Sequence, residues 1–95
     1  MNVFSVKKDA NKIIILNTTP KKVLLRLILV TYEVSALTYN QERVPKMLHD
    51  EISINRELKE NEKVEINSTI DTVKRVSIVY KDLENDVTLR EDHEL

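Results

Sequence analysis

The sequence predicts an all-β chain, a single antiparallel β-sandwich of about seven strands, and three observations carry that expectation. Ile, Val and Thr supply 27 of the 95 residues, whereas alanine occurs twice. β-Branched side chains lose rotamer freedom in a helix and pack well on a pleated surface. Apolar and polar residues alternate in short runs, "ISI" at 52–54, "VEI" at 64–66, "VSIVY" at 76–80 and "VTL" at 87–89, the period of a strand with one buried face. Asparagine and aspartate stand between these runs, where they tolerate a left-handed backbone better than other residues.

The elements follow in chain order. Strands are expected near 3–7, 12–17, 22–33, 51–57, 63–69, 74–81 and 86–91, with turns at Asp9-Ala10-Asn11, Asn17, Asn61 and Asn85-Asp86. The chain has no glycine, so Asn and Asp take the positions that tight hairpins ordinarily give to it. "ELKENEKVEI" at 57–66 reads as a turn and then a strand. Leu58 anchors its approach, Asn61 fills the glycine position, Val64 and Ile66 point inward, and the charged run is a solvated loop. Residues 34–50, "VSALTYNQERVPKMLHD", break the pattern and are expected to form an irregular excursion, an irregular strand or a short helix after Pro45. Residues 90–95 read as an acidic tail.

A helical alternative exists. Thr19-Pro20 resembles an N-cap and first turn, with Val23, Leu27, Val30, Val34 and Leu37 at helical spacing after it. Ser68 and Asp71 resemble a capping box, followed by Ile70, Val73, Tyr80, Leu83 and Val87 as a second stripe. Residue type decides against it, because so β-branched a chain is a poor helix former.

Composition excludes more than it identifies. Without glycine the chain holds no standard Walker loop, dinucleotide fingerprint or nucleophile elbow. Without cysteine it holds neither a disulfide framework nor a Cys-ligated zinc site. The longest apolar run, "VLLRLILV" at 23–30, is too short to cross a bilayer, and "MNVFSVKKDANK" lacks the apolar core of a secretory signal. The expectation is a cytoplasmic, non-enzymatic protein without cofactors. His49-Asp50-Glu51 alternate faces on a strand and do not converge on a metal. The sequons Asn17-Thr18-Thr19 and Asn67-Ser68-Thr69 read as turn residues. Residues 1–46 carry eight Lys/Arg against three acids, and residues 47–95 carry seven against thirteen. Pairing of the two halves within sheets accounts for that asymmetry; the alternative is a nucleic-acid-binding face on the basic half.

"IIILNTTPKKVLLRLILV", "LKENEKVEI" and "VKRVSIVYKDLENDVTL" together resemble the rhythm of immunoglobulin-like β-sandwich modules of archaeal and bacterial surface or accessory proteins. The resemblance implies an immunoglobulin-like fold and a role in binding or assembly. Here Glu60-Asn61 replaces the Pro-Gly of that family's middle turn, and the Cys pair and core Trp of antibody domains are absent.

One strand stands out as a binding candidate. In "VLLRLILVTY", strict alternation puts Val23, Leu25, Leu27 and Leu29 in the core. It puts Leu24, Arg26, Ile28, Val30 and Tyr32 on the opposite face. That second face is too apolar for water, so either residues 34–50 fold over it or a second chain does. Leu24, Ile28, Val30 and Tyr32 are thus the expected subunit or partner interface, with a homodimer as the simplest form.

Overall fold

The structure, a computed structural model, describes residues 2–68 and 72–95. The capping box ending at Asp71, Ile70 of the second helical stripe, and Thr69, which ends both the second sequon and the expected strand 63–69, lie outside the described residues. Among the described residues there are seven strands and no helix: β1 (Phe4–Asp9), β2 (Lys12–Asn17), β3 (Val23–Leu37), β4 (Arg43–Leu58), β5 (Lys63–Asn67), β6 (Val73–Asp82) and β7 (Val87–Glu94). They form two antiparallel sheets, one ordered β1-β2-β5 and the other β4-β3-β6-β7, an arrangement compatible with a β-sandwich.

The alternating residues of both sheets meet in one core. Ile13 and Ile15 of β2 and Val64 and Ile66 of β5 face Leu25, Ile28, Val76 and Ile78 of the other sheet. Phe4 and Tyr80 join the layers edge to face, with ring centroids 5.0 Å apart and planes at 81°, the geometry the ring quadrupoles favour. Turns form without glycine through left-handed Asn61, Asp86, Gln41 and Ala10, and Asn55 adopts the same conformation inside β4. Asn61 and Asp86 stand where the sequence places them. In the first hairpin, however, the strained residue is Ala10 and not Asn11.

The expected charged loop is a tight turn. Glu62 N–H donates to the Lys59 carbonyl (3.1 Å), and the Glu62 carboxylate accepts the Lys59 N–H (2.7 Å). Asn17, fully buried, ties this turn to its surroundings. Its side-chain amide donates to the carbonyls of Lys21 (2.8 Å) and Leu58 (3.1 Å). Its side-chain oxygen accepts the N–H (3.0 Å) and hydroxyl (2.8 Å) of Thr19. Its backbone pairs with Glu62 and Asn61 at 3.0 and 2.9 Å. A buried asparagine with every polar atom partnered is a structural joint, and Thr19-Pro20 belongs to the loop it organises.

Two expectations about the chain's later course are corrected. Residues 90–94 are not a tail: they belong to β7 and pair with β6. Residues 34–50 are neither irregular nor helical, because β3 and β4 continue through them in unbroken register from Val34–Lys46 to Leu37–Arg43. Pro45 fits because it sits in a strand bordering no third strand, so its missing N–H removes no ladder bond. His49 and Asp50 lie in the same strand. The ladder between β3 and β6 ends at Tyr32. Glu33 still bonds to Thr72; beyond it, among the described residues, the β3–β4 pair continues as a two-stranded ribbon, and the molecule measures 54 × 26 × 22 Å.

Candidate functional site

The expected interface on β3 is divided by a β-bulge. Leu25 pairs with Tyr80 and Leu27 with Val79, so Arg26 is an extra residue against β6. On the other side, Ile54 and Asn55 lie between Arg56 and Ser53, the partners of the same two leucines. An extra residue reverses the alternation beyond it. Val23 and Leu25 therefore face inward before the bulge, and Ile28 (0% exposed) and Val30 (5%) face inward after it. Ile28 and Val30 thus belong to the core and not to an outer face. Leu27 and Leu29, expected in the core, are half-buried on the outer face with Leu24. Tyr32 is also half-buried and packs against the edge of the core where the ribbon departs.

Nor does the 34–50 segment fold back over that face. It projects, and it carries most of the exposed large apolar side chains: Leu37 (68% exposed), Val44 (39%), Met47 (47%) and Tyr39, which is fully exposed at the tip. On one ribbon face Val34 and Ala36 neighbour Val44; on the other Leu37 and Met47 flank Ser35 and Pro45. The signal was present as weak alternation in "VSAL" and "VPKML". Polar residues at Thr38–Glu42 and the proline obscured it. The turn itself is held by Thr38 N–H donating to the Glu42 carbonyl (2.8 Å) and by the Thr38 hydroxyl accepting the Glu42 N–H (3.1 Å).

A concave feature lies at the opposite end of β3, a cleft of about 550 Å³ lined by Val3, Pro20, Val23, Tyr80 and Leu89, with Lys21 and Asp82 among its polar residues. Burial pushes the Tyr80 phenol pKa up, and the carboxylates of Glu91 and Asp82 add to the effect. Hydrogen bonds from the Asn85 side chain and from two backbone N–H groups hold Asp82 below the ordinary carboxylate range. A hydrogen bond and charge attraction to Glu84 raise Lys21.

Polar clusters elsewhere serve the fold. His49 Nδ1 lies 2.9 Å from the Thr31 hydroxyl, and Glu91 bonds His93 and the backbone of β1. Among the described residues, no three His, Cys, Asp or Glu side chains come together to hold a metal ion, and no helix is long and apolar enough to cross a membrane. The lysines of the basic half meet acids of the acidic half: Lys12 with Glu65 (3.4 Å), Lys21 with Glu84 (3.1 Å) and Lys22 with Glu57 (3.4 Å). Comparison with protein-family models, with curated proteins and with solved structures found no match.

Proposed function

We propose that the chain is a non-enzymatic protein–protein interaction and assembly module that self-associates through the β3–β4 ribbon, on an immunoglobulin-like sandwich. The strand order supports the immunoglobulin-like type. It matches the constant-type arrangement except that the fourth strand borders β3 and not the first sheet. One observation carries the function. The ribbon extends beyond both sheets with apolar side chains on its two faces, although an isolated two-stranded ribbon is at best marginally stable in water. A partner that covers it removes that cost. The nucleic-acid alternative draws less support, because Lys12, Lys21 and Lys22 of the basic half are engaged by acids, and the ribbon carries Glu33 and Glu42 as well as Arg43 and Lys46.

The test is a variant with Leu37, Val44 and Met47 all replaced by serine. None of these side chains is in the core, so the β-type circular-dichroism spectrum should persist while association measured by sedimentation is lost. A wild-type protein that is monomeric and binds no protein would overturn the proposal. A salt-sensitive complex with oligonucleotides in the same preparation would favour the alternative.

A further inference from the structure

Resting on that reading, we infer that two copies join edge to edge along β3, antiparallel about a two-fold axis at Ala36. The hydrogen-bond phase of the ribbon leads there. At the turn the Thr38 N–H points toward β4 and donates to the Glu42 carbonyl, and inward- and outward-directed residues alternate along an antiparallel ladder. Ala36–Val44 and Val34–Lys46 therefore exchange bonds within the ribbon, whereas Leu37, Ser35 and Glu33 direct their backbone groups away from β4. Glu33 confirms the phase. Its N–H donates outward to the Thr72 carbonyl (3.1 Å), and its carbonyl accepts the Thr72 hydroxyl. Between that point and the turn, Ser35 and Leu37 alone present outward groups on β3, and among the described residues nothing pairs with them on that side.

The ribbon's two edges are not equivalent. Pro45, opposite Ser35, stands at the corresponding outward position on β4, where the absent N–H blunts strand addition. Among the described residues, the β3 edge has no such protection.

A second copy of β3 fits this edge in one register. A two-fold axis at Ala36 sets Ser35 against the partner's Leu37 and Leu37 against the partner's Ser35. All outward groups are then used in two bonded pairs. Ala36 meets its own counterpart at the close non-bonded spacing, about 4.5 Å between Cα atoms, with a small side chain there. Tyr39 falls opposite the partner's Glu33, so the added strand ends where Thr72 already occupies the edge. A two-fold axis at Ser35 would instead press Leu37 onto the Glu33 groups that Thr72 has taken. The product is a four-stranded sheet, with Val34, Ala36 and Val44 of both copies contiguous on one face.

The chain has no cysteine, so one introduced thiol reports the register in the full-length protein. Under oxidising conditions Ala36→Cys should form a covalent dimer, because the expected separation lies within the disulfide range. Val34→Cys, which would face the partner's Thr38, should not. Ser35→Pro removes an outward N–H that the ribbon itself does not use, as Pro45 does on the other strand. It should weaken dimerisation at least tenfold while the circular-dichroism spectrum stays unchanged. A wild-type dimer that Ser35→Pro leaves intact, or in which Val34→Cys cross-links as well as Ala36→Cys, overturns the edge pairing but leaves the ribbon as an interaction element. A monomer whose ribbon binds a different protein does the same. A monomer with no partner overturns both.

Discussion

The Glu91 carboxylate on β7 accepts the backbone N–H of Phe4 on β1, 3.1 Å away across 87 residues of chain. Its other oxygen accepts the Val3 N–H at 2.7 Å. β1 and β7 are edge strands of different sheets, so one side chain clasps the two layers together. His93 Nε2 bonds the same carboxylate from two residues along β7.

Glu91→Ala should therefore destabilise the fold by about 3 kcal/mol, since hydrogen bonds to a charged acceptor contribute about 1.5–3 kcal/mol each and the Phe4 amide is left without a partner. Glu91→Gln keeps one carbonyl acceptor and should lose roughly half as much. Urea unfolding of the three proteins checks the order. Equal midpoints would show that water replaces the clasp without loss.

Asn17 gives a second test. Asn17→Ala removes four side-chain hydrogen bonds and leaves the Lys21 and Leu58 carbonyls without that donor. A loss of about 3 kcal/mol or more is expected, in line with breaking a buried network. In a glycosylating host the folded protein should carry no glycan at Asn17, because the amide nitrogen is enclosed. Mass spectrometry of secreted protein reads this directly.

These cases also indicate what the sequence could and could not disclose. Seven strands were legible, because alternation in runs such as Val64-Glu65-Ile66 is a local property. The turn at Asn61 was legible for the same reason. The faces of β3 were not, because they depend on an extra residue, and nothing local distinguishes Arg26 from any charged residue on a strand. Reversed alternation beyond it moves Ile28 and Val30 from an expected interface into the core. The ribbon was missed for another reason: Pro45 and the polar tip resemble a loop until both strands are seen to share one register. The Glu91 clasp is non-local and had no sequence signal.

Ala10 adopts φ 50° at the tip of the first hairpin, a region in which a Cβ costs about 1–2 kcal/mol. Ala10→Gly relieves that strain, against a greater entropy loss on folding of about 0.5–1 kcal/mol. A net gain of about 0.5–1 kcal/mol is expected, raising Tm by a few degrees in a chain of this size. A lower Tm would mean that the turn is relaxed around alanine.

Tyr80 predicts an alkaline response. Its folded pKa is raised, first by burial and then by Glu91 and Asp82. The unfolded chain therefore loses its phenolic proton before the folded one does. The stability contributed by the neutral phenol is complete below the ordinary value of 10.0 and is lost as pH rises through the higher folded value. Ultraviolet titration should show one of the three tyrosines ionising late, and Tyr80→Phe should remove that late step. A Tyr80→Phe protein whose stability falls with alkali as the wild type's does would assign the effect elsewhere.

The bulge at Arg26 permits a direct test with neighbouring residues. Unbroken alternation from Val23 would place Leu29 in the core and Ile28 outside. The bulge reverses this, leaving Ile28 fully buried and Leu29 half-buried beside Glu51 and Ser77 of the flanking strands. Ile28→Lys then puts an ammonium among Leu25, Val76 and Ile78, where an unpaired charge costs about 3–5 kcal/mol. That is a large share of the stability of a small domain, and the variant should be largely unfolded or aggregated at room temperature. Leu29→Lys brings its charge to the outer face, where Glu51 is the neighbouring residue on β4, and should cost about 1 kcal/mol. Circular dichroism with thermal melts of both variants reads the ranking. If Leu29→Lys proved the more damaging, the phase of β3 would be that of simple alternation. Ile28 and Val30 would then return to the outer face, and with them the interface that the sequence alone suggests.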